Sequence, residues 1–151
     1  MPFARIDLIQ GKPPEHRATV ADIVYRGIVD VLEAPEGDRF VVVGEHSADN
    51  LMYDPHFLGF SRSPGFILIQ ATSTVGNKKD TKFAFYRSVS DELKSKLGIR
   101  TDDIMINMLF STRRIGRSVT VSRGNDFRYH IGPQPQDRRL MTALGKRRRL
   151  P

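Results

Sequence analysis

The chain has 151 residues, with 39% apolar and 27% charged residues, no cysteine and a formal net charge of +7. That length suits one domain or two small repeats sharing a core, and the absence of cysteine excludes disulfides, thiolate chemistry and Cys-based zinc sites. No apolar run has the length of a membrane span and the start is not a signal peptide, so a cytoplasmic protein is the expectation. The charge is unevenly placed: residues 111–151 carry eleven Arg or Lys against two Asp, which leaves the first 110 residues slightly acidic.

The first strand is expected over Phe3 to Ile9, directly after Met1-Pro2. Methionine before a small residue is normally removed, which would leave Pro2 as a terminal secondary amine. An α-amino group titrates near about 8, lower when buried among apolar groups and higher beside a carboxylate. Pro2 is therefore a candidate general base, general acid or nucleophile. After Gly11-Lys-Pro-Pro14, the spacing of Val20, Ile23, Val24, Gly27, Ile28, Val31 and Leu32 predicts a helix from about Pro14 to Glu33. Ala34-Pro-Glu-Gly37 stops it, and Arg39 to His46 reads as a second strand, parallel to the first with a right-handed crossover.

A connector over 47–64 holds Leu51 to Phe60 and leads to the turn Ser63-Pro-Gly65. The pattern then repeats, with a strand over Phe66–Ala71, a helix over Lys79–Leu97 ending at Gly98, and a strand over Asp103–Phe110. Tyr25-Arg26, Asp30 and Leu32 recur 61 positions later as Tyr86-Arg87, Asp91 and Leu93. Asp38, ahead of the second strand, is matched by Asp103 ahead of the fourth. This predicts an α+β (α/β) fold: two tandem β-α-β repeats forming a four-stranded sheet with two helices on one face. The double β-α-β domain is expected over 1–110, and a basic, irregular tail over 111–151.

Three stretches carry a family likeness. Pro2 opens the first strand. Asp38-Arg39-Phe40-Val41-Val42-Val43 precedes Glu45-His46, and Leu58-Gly59-Phe60-Ser61-Arg62-Ser63 follows. In this order the chain resembles the tautomerase superfamily of N-terminal proline enzymes, most closely its malonate semialdehyde decarboxylase-like branch. The resemblance implies a tautomerase/MIF-like fold, catalysis by Pro2 with Asp38 polarising the substrate or setting the proline's protonation, no cofactor, and a homotrimer. Taken from the residues alone, Asp38 also fits a turn that satisfies backbone donors.

Two departures qualify the likeness. The family's branch grips a substrate carboxylate with arginines before its second helix. Here Ser73 to Lys82 contains none, and Gly76-Asn77 stands where relatives read Gly-Arg. An arginine fork holds a carboxylate bidentately, whereas Asn77 offers a neutral donor and Lys78 or Lys79 a point charge. Asn77, Lys78 and Lys79 are thus the candidate substrate-binding residues. Second, the family's Asp-Trp-Ser-Phe-Gly-x-Gly after the fourth strand is missing, and the chain has no tryptophan. Ordinary codons for Ile115 through Asn125 with suitable third bases, read two bases out of phase, can spell Trp-Ser-Phe-Gly-His-Gly-Val-Ala-Arg and then a stop. The tail is accordingly read as frameshifted sequence from about residue 115.

The reading that results is a cofactor-independent isomerase carrying out keto–enol tautomerisation of a small oxo or enol carboxylic acid. The alternatives are a malonate semialdehyde-type decarboxylase, or a catalytically impaired binding protein that keeps the fold. His46 beside Glu45 lacks metal-ligand spacing, so no metal is expected. Nucleic-acid binding by the tail is disfavoured because no aromatic platform accompanies its basic residues.

Overall fold

The computed structural model describes residues 2–73, 79–110, 119–121 and 127–129. The backbone separates into two compact units, Met1–Gly116 and Arg117–Pro151. In the first, β1 (Phe3–Ile9) leads to α1 (Pro14–Asp30) and β2 (Val41–His46), and β3 (Ile67–Ser73) leads to α2 (Lys79–Leu97) and β4 (Ile104–Phe110). The strands lie in the order β2-β1-β3-β4. β1 and β2 are parallel, as are β3 and β4, while β1 and β3 run antiparallel at the centre. Each β-α-β repeat thus contributes one central and one edge strand, as the sequence repeat predicts.

Alternation along the strands decides which face the helices cover. Ala4, Ile6 and Leu8 of β1 and Ile67, Ile69 and Ala71 of β3 are buried, and they share a core with Val20, Val24, Ile28, Phe85, Val89 and Leu93 of the helices. Gly27 lets the helices approach: a Cβ there would lie 2.8 Å from Val89 Cγ2 and 3.1 Å from Phe85 Cε2. The equivalent Leu32 and Leu93 are both buried, one from each repeat. Among the described residues nothing covers the opposite face, where Val42, Met105 and Leu109 are exposed.

Element ends differ from the sequence reading by a few residues. α1 stops at Asp30 rather than Glu33 because Glu33 takes a left-handed φ of 55° two residues before Pro35. β2 starts at Val41, since Arg39 is drawn to Asp22 (3.1 Å) and over the Tyr25 ring. β3 runs on to Ser73, where Thr72 pairs with Phe3 and Ser73 with Phe110. Where an irregular tail is expected, the described residues of the second unit are β5 (Val119–Val121) and β6 (Phe127–Tyr129), paired antiparallel.

Candidate active site

Pro2 sits at the mouth of β1 and is buried. Two registers define its surroundings. On one side β1 pairs with β3, Phe3 opposite Thr72, so one further step brings Pro2 to Ser73 at the end of β3. On the other side Ala4 pairs with Val41, and the Ala4 N–H donates to the Phe40 carbonyl at 2.9 Å. Followed toward the chain start, this pairing carries the segment holding Asp38 alongside the beginning of β1. The registers therefore put Pro2 and Ser73 at the end of the sheet where the chain that carries Asp38 enters β2.

Asp38 is half-buried at the end of a tight turn. Its own N–H donates to the Pro35 carbonyl, and the neighbouring Gly37 N–H donates to the Tyr25 hydroxyl at 3.0 Å, with Gly37 at φ 94°. Among the described residues its carboxylate has neither a hydrogen-bond donor nor an ion-pair partner. The counterpart in the second repeat behaves differently. Asp103 is 2% exposed and accepts from the Ser63 N–H (2.6 Å) and hydroxyl (2.8 Å). One repeat uses its aspartate to hold a turn, and the other leaves it without a side-chain partner among the described residues. A carboxylate that is half withdrawn from water and unpaired is suited to acid–base work or to holding a nearby ammonium.

Of the three candidate substrate-binding residues, Asn77 and Lys78 lie outside the described residues. Lys79 opens α2, where the helix terminus favours anions, and its exposed ammonium lies 5.8 Å from the Phe83 ring centroid. Ser73 is the neighbour of Pro2 that sequence reasoning did not single out. It is buried and hydrogen-bonded or otherwise engaged, and its one signal is a hydroxyl ending the apolar run of β3.

A second polar cluster lies on the uncovered face, nearer the other end of β1 and β2. Asp7 is buried there, with Oδ1 2.6 Å from His46 Nε2 and Oδ2 accepting from Arg5 Nε at 2.8 Å. The Arg5 hydrogen bond holds the Asp7 carboxyl below the usual range, partly opposed by burial and reinforced by His46. Asp7 in turn raises the Arg5 pKa. His46 is thus a strand histidine with a partner. On α1, burial and then the charge of Lys12 lower the pKa of His16. Among the described residues no group of three or more His, Asp or Glu side chains is arranged to hold a metal ion, and no helix is long and apolar enough to cross a membrane.

Two family profiles, both described as tautomerase enzyme, match the chain over residues 38–114 and 2–61. Probable tautomerase YrdN of Bacillus subtilis (strain 168) is 28% identical over 109 residues, covering 72% of this chain and 84% of that protein. A crystal structure of malonate semialdehyde decarboxylase inhibited by 3-bromopropiolate superposes with a TM-score of 0.66 at 28% identity, over 73% of this chain and 83% of that one. Crystal structures of another malonate semialdehyde decarboxylase, described as having decarboxylase and hydratase activities, give 0.69 at 22% identity, over 82% and 91%.

Proposed function

The chain belongs to the tautomerase enzyme family, and from that premise we propose that Pro2, once Met1 is removed, is the acid–base group of a keto–enol tautomerase acting on a small oxo or enol carboxylic acid. The observation that carries this reading is Asp38, without a side-chain partner among the described residues and placed toward the same sheet end as the buried Pro2, set against its hydrogen-bonded counterpart Asp103. In its neutral form the Pro2 amine takes a proton from an enol hydroxyl through its lone pair and returns it to carbon. Asp38 polarises the reacting oxygen through a shared proton or steadies the prolinium that forms. Lys79, with Asn77 and Lys78, meets the substrate carboxylate at the start of α2.

Intact mass and kinetics test this together. The purified protein is expected one methionine lighter than the encoded chain, and to ketonise phenylenolpyruvate with a rate that falls at least about a hundredfold in Pro2→Ala, the low end for a lost acid–base group. A retained methionine, or equal rates, leaves the amine no catalytic role and favours the binding-protein reading.

Likeness to two malonate semialdehyde decarboxylases supports a second reading, in which protonated Pro2 polarises a 3-oxo acid and assists loss of carbon dioxide. Absence of arginine between Ser73 and Lys82 weighs against it, because a carboxylate leaving as carbon dioxide needs firm orientation. Acetaldehyde released from malonate semialdehyde would decide for it. Part of the preferred reading is a cytoplasmic homotrimer, its assembly supported by Val42, Met105 and Leu109, exposed on the sheet face that the described residues leave open. The other part is a frameshifted tail beyond the domain at 1–110.

A further inference from the structure

At the end of the sheet opposite Pro2, a cavity of about 210 Å³ lies between the start of α1 and the end of α2. Leu8 pairs with Ile67, so the turn Ser63-Pro-Gly65 ahead of β3 comes up beside the chain that leaves β1. Lys12 and His16 line the cavity from the α1 side, and Leu97, Ile99 and Arg100 from the α2 side. Val42, Met105 and Leu109, exposed on the open sheet face, take no part in it. From Phe3 to Ile9 the strand takes six steps. At about 3.4 Å each, roughly 20 Å separates this end of β1 from the Pro2 end.

His16 Nε2 is shielded from solvent and has no hydrogen-bond partner among the described residues. A ring nitrogen so placed is costly until something pairs with it. Burial, and then the charge of Lys12, lower the His16 pKa, so the ring is neutral at pH 7 and the Lys12 ammonium lies close to it. Lys12 itself has no carboxylate partner among the described residues. Asp103 is the one carboxylate they bring to the lining, and it is already engaged. It accepts from the Ser63 N–H and hydroxyl, and Arg100 Nη1 lies 3.9 Å from its Oδ2. Arg100 Nη2 donates to the Ser61 carbonyl at 3.0 Å. Lys12 and Arg100 against Asp103 leave one positive charge in excess on the lining, which suits a monoanion better than a dianion.

The sequence repeat gives this cavity a counterpart. A turn leads into β3 here as Pro2 leads into β1, and Asp103 precedes β4 as Asp38 precedes β2. Lys12 and His16 stand at the start of α1 as Lys78 and Lys79 stand at the start of α2. What the second repeat lacks is a terminal amine, so its groups support binding without turnover. We propose that this cavity binds a short monocarboxylate, its carboxylate on Lys12 and His16 and its apolar body against Leu97 and Ile99. The proposal rests on the cavity's own groups and stands whether or not Pro2 is catalytic.

Acetate is the probe, titrated into the full-length protein at pH 7 and followed by NMR. The His16 ring signal, identified by its loss in His16→Gln, is expected to move along a saturable curve. Sodium chloride at equal ionic strength is expected to leave it in place. Lys12→Met keeps the side-chain length and removes the charge, so affinity is expected to weaken at least about tenfold, as for a lost charge-assisted hydrogen bond. Leu97→Trp fills the cavity with every charge retained and is expected to abolish the curve. Pro2→Ala is expected to bind acetate like the wild type. No saturable movement, an equal movement with chloride, affinity unchanged in Lys12→Met or Leu97→Trp, or a curve lost in Pro2→Ala would each overturn the proposal. Inorganic phosphate binding as tightly as acetate would overturn it too, because the lining would then not select a single charge.

Discussion

Across the parallel pair β1–β2, Asp7 stands opposite Gly44, and the space a Gly44 side chain would fill is taken by the Asp7 carboxylate and the His46 ring. A Cβ at Gly44 would lie 2.8 Å from Asp7 Oδ1 and 3.0 Å from His46 Nε2. Asp7 cannot swing aside cheaply, because Arg5 holds both its oxygens and His46 one of them. Gly44→Ala is expected to lower stability by about 1–3 kcal/mol, as other overpacked sites do. The measurement is the urea midpoint at pH 7; an unmoved midpoint would mean the carboxylate relocates freely.

The same cluster sets the acid limb of the stability curve. The Asp7 carboxyl titrates below its ordinary value in the folded chain, so the unfolded chain binds that proton more readily. Its contribution is complete above the unfolded pKa of about 3.9 and is lost as pH falls through the lower folded value. His16, whose pKa is also lowered, acts in another window: stability declines as pH falls through the unfolded histidine value near about 6.5. Thermal midpoints between pH 3 and 8 are expected to show two steps. Asp7→Asn removes the lower one and His16→Gln the upper one, and a single step common to all three proteins would contradict this assignment.

Asp38 and Asp103 occupy matching places in the two repeats, so the same substitution separates chemistry from architecture. Asp103→Asn weakens a buried carboxylate's bonds to Ser63 and is expected to cost about 1–3 kcal/mol. It should leave the rate per folded molecule nearly intact. Asp38→Asn removes a carboxylate without a partner, so its stability is expected to stay within about 0.5 kcal/mol of wild type. Its kcat/KM for phenylenolpyruvate should fall by about tenfold or more. The opposite pattern would make Asp38 a turn residue.

How much of this was legible in the chain depends on sequence distance. β1 and α2 have the bounds their apolar periodicity predicts, because each is read from its own residues. The parallel pairing within the first repeat follows from its β-α-β pattern, whereas the order β2-β1-β3-β4 and the antiparallel central pair come from the structure. Asp38 stands out through its repeat partner, and Pro2 through its position. The Asp7–His46 contact joins residues 39 positions apart, and the hole beside Gly44 becomes meaningful only when the register sets these strands together. Arg62 was visible as a motif letter, but its three phenylalanine neighbours depend on how the connector folds back. Ser73 was hidden for the same reason: only the antiparallel pairing of β3 brings it to Pro2.

The reading of the tail as frameshifted makes the last prediction. Residues 111–151 hold all of the chain's excess positive charge, whereas the first 110 residues are slightly acidic. Genomic sequencing across codons 110–130 is expected to reveal the shifted frame, and an unambiguous in-frame read would sink the idea. A functional comparison makes the same point. A gene rebuilt to read Trp-Ser-Phe-Gly-His-Gly-Val-Ala-Arg and a stop from position 115 supplies two aromatic side chains that the encoded chain lacks there. By resemblance these wall the substrate site, so they exclude water and strengthen the polar contacts around Pro2. The rebuilt protein is expected to ketonise phenylenolpyruvate with a kcat/KM at least about tenfold above the encoded one, a transition-state gain of about 1.4 kcal/mol. If the encoded chain is equally active, its own tail serves the domain and was selected in the frame now read.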